Sequence, residues 1–273
     1  MNELIDVLRL KAKVHYGESP LMTALANVVL SEPTGMSLLE GQGDASAEVR
    51  LHLLLALMHE HAISQPASQL ARYFPSVGGS GSAADPALAA VAAAFLQSHA
   101  QELSDRMAKR PHIIRTTLRR SVMLKALAAQ ALKEIGEPSD YALIDIGCSI
   151  GVNLLLDRLD IATAEEGFAL RVGEVRMDVA RRGGSVPSFD LPRARTRIGI
   201  DSHRLDASRA EDRNEVLSHC PPENVADFEA ARRVLNLLAE DPPELRVGRA
   251  EDEIAGAFAQ IDSGLPVIVM HSM

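Results

Sequence analysis

Tryptophan is absent from this 273-residue chain, aromatic residues of all kinds make up 3% of it, and it carries two cysteines. Two thiols, Cys148 and Cys220, cannot build a disulfide framework or a multi-cysteine zinc site, so both are expected to be reduced. Basic charge is also short, with 28 Lys and Arg against 37 Asp and Glu and a net charge of -9. So few rings and so little positive charge exclude the basic, stacking surface that nucleic-acid binding needs. No apolar run reaches the roughly 18 residues of a membrane span, and the first residues mix acids into an apolar stretch instead of following the basic-then-apolar order of a secretory leader. These absences imply a cytoplasmic protein, with no membrane and no nucleic acid as partner, acting on a small molecule. His59 and His61 with Glu60 lack the i,i+4 spacing of a helical zinc pair and read as caps or surface residues.

What is present falls into two halves. Up to Pro138 the apolar spacing is helical: Leu4, Ile5 and Leu8, then Leu21, Leu25, Val28 and Val29, then an almost wholly apolar stretch from Val49 to His61 that suits a helix buried on most sides. Residues 75–86 are rich in breakers and read as a flexible surface loop, after which Asp85 and Pro86 should start a helix over 87–103. A further helix over about 114–135 stops at Gly136, with Pro138 following. From Ser139 the period changes. Strands are expected at 141–146, 196–201, 244–248 and 266–270, alternating with helices at 151–160, 208–240 (broken at Pro221 and Pro222) and 252–261. Such alternation implies a parallel sheet covered on both faces. The expected architecture is therefore an all-α domain over 1–138 and an α/β domain over 139–273. An insertion before the second strand alternates over 168–179 and suggests a hairpin, and the arginines from Arg181 to Arg197 read as a solvated loop or an anion contact.

The segment Tyr141-Ala-Leu-Ile-Asp-Ile-Gly-Cys-Ser-Ile-Gly-Val-Asn153 is the strongest signal. It reads as a buried strand ending near an acid, a tight turn, and a helix start whose positive end and backbone N–H groups face a ligand. Gly147 permits the turn and Gly151 a close backbone approach. The middle position of a dinucleotide fingerprint is Ser149, whose side chain would crowd a pyrophosphate, which argues against NAD. Asp145 suits instead a ligand with a cationic amino group, as S-adenosylmethionine has. An acid ending the second strand would hold ribose hydroxyls. Glu165 and Glu166 lie at the customary distance but follow no strand, whereas Asp201 ends Arg197-Ile-Gly-Ile-Asp201 and is preferred. Asp252 could meet an adenine amino group or simply cap a helix. Cys148 beside a helix start could act as a nucleophile, but no histidine accompanies it in sequence.

Together these residues carry a resemblance. Asp145 to Arg158, Gly199-Ile-Asp201 and Ala250-Glu-Asp252 resemble motifs one, two and three of class I S-adenosylmethionine-dependent methyltransferases. More closely, the whole chain resembles a bacterial family of uncharacterised proteins with a helical amino-terminal region and a methyltransferase-like core. Ala71-Arg-Tyr-Phe-Pro-Ser-Val-Gly-Gly79 is similar to one hallmark of that family, and Asn153-Leu-Leu-Leu-Asp-Arg158 after the glycine turn to another. The resemblance implies a Rossmann-like parallel sheet and S-adenosylmethionine held by Asp145, Gly147, Ser149, Gly151, Asn153, Asp201 and Asp252. Two departures accompany it. The segment from His112 to Arg120 keeps its terminal arginine but lacks the asparagine and glutamate that relatives show, and such domains normally continue through three further strands beyond residue 273. The expectation is a truncated sheet with an exposed edge strand that invites self-association into homo-oligomers, and with His271 and Ser272 placed to face an acceptor. Three functions stay open: a methyltransferase for a small-molecule acceptor, a binding or regulatory protein on the same fold, and an NAD-dependent oxidoreductase.

Overall fold

The computed structural model describes residues 2–40, 45–110, 113–114, 118–164, 167–203 and 205–271. The chain forms two compact units that do not follow chain order: residues 1–114 with 214–228, and residues 115–213 with 229–273.

The first unit contains helices α1 (Asn2–His15), α2 (Pro20–Ser31), α3 (Pro33–Leu39), α4 (Ala47–Ser64), α5 (Ala87–Ser98) and α6 (Ala100–Lys109). Pro20 opens α2, where its missing N–H costs nothing, and the Ser19 hydroxyl accepts the Met22 N–H at 3.3 Å. As its composition predicts, α4 is buried on nearly every side, with Leu54, Leu55 and Met58 fully enclosed. Two expectations fail here. The helix expected over 87–103 breaks at His99, because the Ser98 hydroxyl donates back to the Ala94 and Phe95 carbonyls and the next residue leaves the helical region. The breaker-rich stretch after Phe74 is no flexible loop. It folds back on itself through Gly79 N–H to Phe74 O (2.9 Å) and Gly81 N–H to Arg72 O (2.8 Å), and a Cβ at Gly79 would fall 2.5 Å from the Ala71 carbonyl oxygen.

Residues 214–228 complete this unit, entering within α8 (Ala210–Ser218) and leaving within α9 (Val225–Glu240). Glu223 caps α2 from 202 residues beyond Leu21 in sequence, accepting Leu21 N–H at 2.6 Å and the Ser19 hydroxyl at 2.5 Å. Arg110 pairs with both Glu60 (2.6 Å) and Glu215 (2.8 Å). His59 is wholly buried, contrary to its reading as a cap or surface residue. Its Nδ1 lies 3.0 Å from the Ser218 carbonyl and its Nε2 2.7 Å from the Ser76 hydroxyl, and its ring stacks on Phe74. The carbonyl can only accept, so Nδ1 carries the proton and Nε2 accepts from Ser76.

The second unit begins with α7 (Leu118–Glu134), which ends at left-handed Gly136 and Glu137, with Glu137 N–H returning to Leu132 O. It holds β1 (Tyr141–Ile146), β5 (Ala194–Asp201), β6 (Glu244–Val247) and β7 (Val267–His271) in one parallel sheet of order β6-β5-β1-β7. All four expected strands are therefore present. The hairpin expected over 168–179 is β3 (Gly167–Val172) and β4 (Val175–Ala180), joined by β2 (Asp160–Ala164) into a separate three-stranded antiparallel sheet. Ile144, Ile198 and Ile200 pack with Ala257 of α10 (Ala250–Ala259) as one apolar layer. Arg195 and Arg197, read as loop residues, belong to β5, and Arg197 is paired with Asp241 at 2.7 Å. Among the described residues no helix is long and apolar enough to cross a membrane.

Candidate functional site at the carboxyl end of β1

Strand β1 is central, flanked by β5 and β7, so its carboxyl end opens between two neighbours. Asp145 lies in register with Gly199 on one side and Met270 on the other. The turn that follows is built from left-handed backbone at Gly147 (φ 74), Ser149 (φ 53) and Gly151 (φ 93). A left-handed serine is uncommon outside glycine, asparagine and aspartate, and it marks a conformation held by its surroundings. The holding group is Asp201. Its Oδ2 accepts Ser149 N–H at 2.7 Å, its Oδ1 accepts His203 N–H at 2.9 Å, and its carbonyl accepts Gly248 N–H at 3.0 Å. One residue thus ties the ends of β5 and β6 to the turn after β1.

Two sequence expectations need correction. The helix expected over 151–160 is a seven-residue 3-10 turn, Val152–Arg158, interrupted at Leu155, so no α-helical dipole points from it at a ligand. The turn's donors are also engaged by protein: Gly147 N–H and Cys148 N–H reach Ile200 O, Ser149 N–H reaches Asp201, and Gly151 N–H reaches Cys148 O. Nor does Gly151 give a ligand close approach. A Cβ there would meet Pro243 at 3.2 Å and Leu245 at 3.5 Å, whereas a Cβ at Gly147 would meet nothing within 4 Å. The open space lies over Gly147.

Polar side chains converge under this turn. Asp145 is 0% exposed, and neither of its carboxylate oxygens has a hydrogen-bond partner in good geometry. Burial drives its pKa up to about 7; Asn153 and Arg120 favour the charged form, and the Asp201 charge opposes it. The Ser121 hydroxyl of α7 donates to Asn153 Oδ1 at 3.2 Å, which sets the Asn153 side chain beside the acid. The Ser149 hydroxyl is likewise buried without a partner. Cys148 is no nucleophile: it is buried, and burial with the Asp145 and Asp201 charges pushes its thiol pKa well up.

The structure thus brings Asp145, Gly147, Ser149, Gly151, Asn153 and Asp201 together. Asp252 is exposed in the first turn of α10, with its N–H on Arg249 O. His271 ends β7 in register with Ile146, at the same end of the sheet. Ser272, Glu165, Glu166 and His112 lie outside the described residues. Sequence reasoning named Arg120 only as the end of a family-like segment, missed Ser121, and quoted Gly199 within a motif without giving it a role. The third had a readable signal, since a glycine inside a strand marks a close approach, and here its neighbours are Cys148 and Leu245.

Fold and site define a mixed α/β protein with a four-stranded parallel sheet, a separate antiparallel sheet, and an acid-lined turn at the carboxyl end of its central strand. The chain belongs to a bacterial family: residues 6–273 match the model described as an uncharacterized protein conserved in bacteria (DUF2332). Comparison with curated proteins and with solved structures returns no match.

Proposed function

We propose that the protein is an S-adenosylmethionine-dependent methyltransferase acting on a small-molecule acceptor, with a methyltransferase-type Rossmann core as its second unit. The observation that carries this reading is the 2.7 Å contact between the Asp201 carboxylate and Ser149 N–H. It joins the acid that ends the second parallel strand to the turn that ends the first. Sheet order supports the reading, because third-second-first-fourth is the order of the first four strands of a doubly wound sheet, whose ligands lie beyond the strand ends where the order reverses.

The donor set fits an adenosyl amino acid better than a dinucleotide. A pyrophosphate needs free backbone N–H groups, and those of residues 147, 148, 149 and 151 are engaged. Acceptors, by contrast, remain: neither Asp145 oxygen has a hydrogen-bond partner in good geometry, and each Asp201 oxygen keeps lone-pair capacity beyond its one N–H bond. In this reading Asp201 holds ribose hydroxyls, Asp145 the ammonium, and Asn153 and Ser149 the remaining polar edge, while Asp252 reaches the adenine amino group. The cofactor supplies an electrophilic methyl group on sulfur. The protein's part is alignment with the acceptor and exclusion of water, so few titrating groups are required. His271, at the same end of the sheet as Ile146, is placed on the acceptor side.

Thermal unfolding with and without S-adenosylhomocysteine tests this. At about 100 times its Kd a ligand adds roughly 2.7 kcal/mol of stability, and a clear rise in Tm is expected. A flat Tm at millimolar ligand contradicts the reading, and a rise with NAD alone favours the oxidoreductase alternative.

A further inference from the structure

The apolar outer face of α1 (Val7, Leu10, Val14) and the cavity between the end of α7 and residues 188–192 are the other conspicuous features of the surface, and neither comes with a group that says what would fill it. The acid at the end of β1 does. Asp145 is completely enclosed, its two oxygens have no good partner, and it sits beside a turn with open space over Gly147.

We propose that this site takes its ligand by exchanging a proton for a cation: in the free protein at mildly acidic pH Asp145 is a neutral carboxylic acid, and under those conditions it releases one proton to solvent for each cationic group bound. The step balances as a carboxylic acid plus a ligand ammonium giving a carboxylate–ammonium pair plus one proton. This rests on the reading that the turn after β1 holds a ligand with an ammonium group, and it adds a thermodynamic signature that the reading alone does not require.

Groups from four elements and the turn after β1 face Asp145. From β5 comes Asp201, a second acid, which accepts at both oxygens from backbone N–H groups. From the turn comes the Cys148 thiol, buried and with its pKa pushed well up. From β7 comes apolar Met270, with His271 one residue further on beside Ile146. Asn153 of the 3-10 turn and Arg120 of α7 are the groups that favour charge on Asp145. A carboxylate in a dry site whose oxygens lack a well-aligned hydrogen bond is disfavoured, and the neighbouring Asp201 charge adds to that penalty. Burial therefore outweighs Asn153 and Arg120, in line with a pKa raised to about 7. A ligand cation placed against Asp145 supplies the missing partner, restores the ionised form and expels the proton.

The test is calorimetric titration of the full chain with S-adenosylhomocysteine in two buffers of different ionisation enthalpy, repeated from pH 5.5 to 8.5. The expected result is release of close to one proton per ligand at pH 6, falling toward none at pH 8.5. Affinity should rise about tenfold per pH unit up to about pH 7 and level off above it. Asp145→Asn should bind more weakly, with no proton released and no such pH dependence. Because that variant can fail to fold, carboxyl-carbon NMR of the free wild-type protein is read alongside, with an aspartate titrating near pH 7. Binding without proton release, or Asp145 titrating in the ordinary carboxylate range, overturns the exchange and leaves the methyltransferase reading standing. Absence of any binding overturns both.

Discussion

Gly199 offers the sharpest test of how the site is walled. It lies inside β5 between buried Ile198 and Ile200, paired with Asp145 on one side and Leu245 on the other. A Cβ at this position would fall 2.5 Å from Cys148 Sγ, 3.1 Å from Cys148 Cβ and 2.6 Å from Leu245 Cδ2. Ordinary contacts between such atoms are about 3.5–4.0 Å, so Gly199→Ala forces movement of about an ångström. The Leu245 methyl is the flexible end of a half-buried side chain and can rotate aside. Cys148 Sγ can move only by a rotamer change in a buried site, and Cys148 Cβ cannot move aside, because the backbone is fixed by Gly147, Ser149 and Gly151 bonds to neighbouring strands and turn. Overpacking of this kind costs about 1–3 kcal/mol, and the upper half of that range is expected here. Moving Cys148 also pulls Ser149 N–H away from Asp201, so ligand affinity should fall with stability. With no tryptophan in the chain, urea unfolding is best followed by far-ultraviolet circular dichroism. The companion variant Cys148→Ala removes the nearest atom, and the double variant should be at least about 1 kcal/mol more stable than the sum of the two single losses. A Gly199→Ala protein as stable as wild type, or strictly additive losses, would refute the packing argument.

Glu223→Ala should lower stability by about 1–2 kcal/mol in denaturant titration, because the first turn of α2 loses the acceptor for Leu21 N–H and the Ser19 hydroxyl its partner. His59→Phe should keep the stack on Phe74 but leave Ser76 and the Ser218 carbonyl without their buried partner, costing about 1–3 kcal/mol. Burial depresses the His59 pKa to about 4, so the stability it contributes is complete above its ordinary value near 6.5 and is lost as pH falls toward 4. Stability measured from pH 7 to 4 should therefore fall less steeply in His59→Phe, by up to about 1.4 kcal/mol per pH unit. An unchanged slope would contradict the neutral, buried imidazole.

The parallel strands were legible because each is a short apolar run bounded by breakers, and a buried strand must look like that whatever its partners are. The acid at position 201 was legible for a related reason: it ends such a run, and strand ends in a parallel sheet gather at one edge. Other features depend on partners remote in sequence. Nothing near Ser19 announces that Glu223 will cap α2, and nothing near His59 announces that the Ser218 carbonyl will fix its tautomer. Residues 214–228 read as an ordinary helix-loop-helix between two strands, yet they complete the helical unit through contacts with Ser19, His59 and Arg110. The short 3-10 turn after Gly151 was hidden for the opposite reason, since Val152 to Leu156 carries an apolar pattern as suitable for an α-helix as for what forms. In the candidate site the acids were readable from position, whereas the occupation of the turn's N–H groups depends on where Ile200 and Asp201 present their oxygens.

The most direct test of the central claim is a crystal structure of the protein grown with S-adenosylhomocysteine. The account expects adenosyl density over Gly147, with ribose hydroxyls on Asp201 and the ammonium on Asp145. Density elsewhere, or a turn still closed over by Ser149 and its neighbours at saturating ligand, would contradict it.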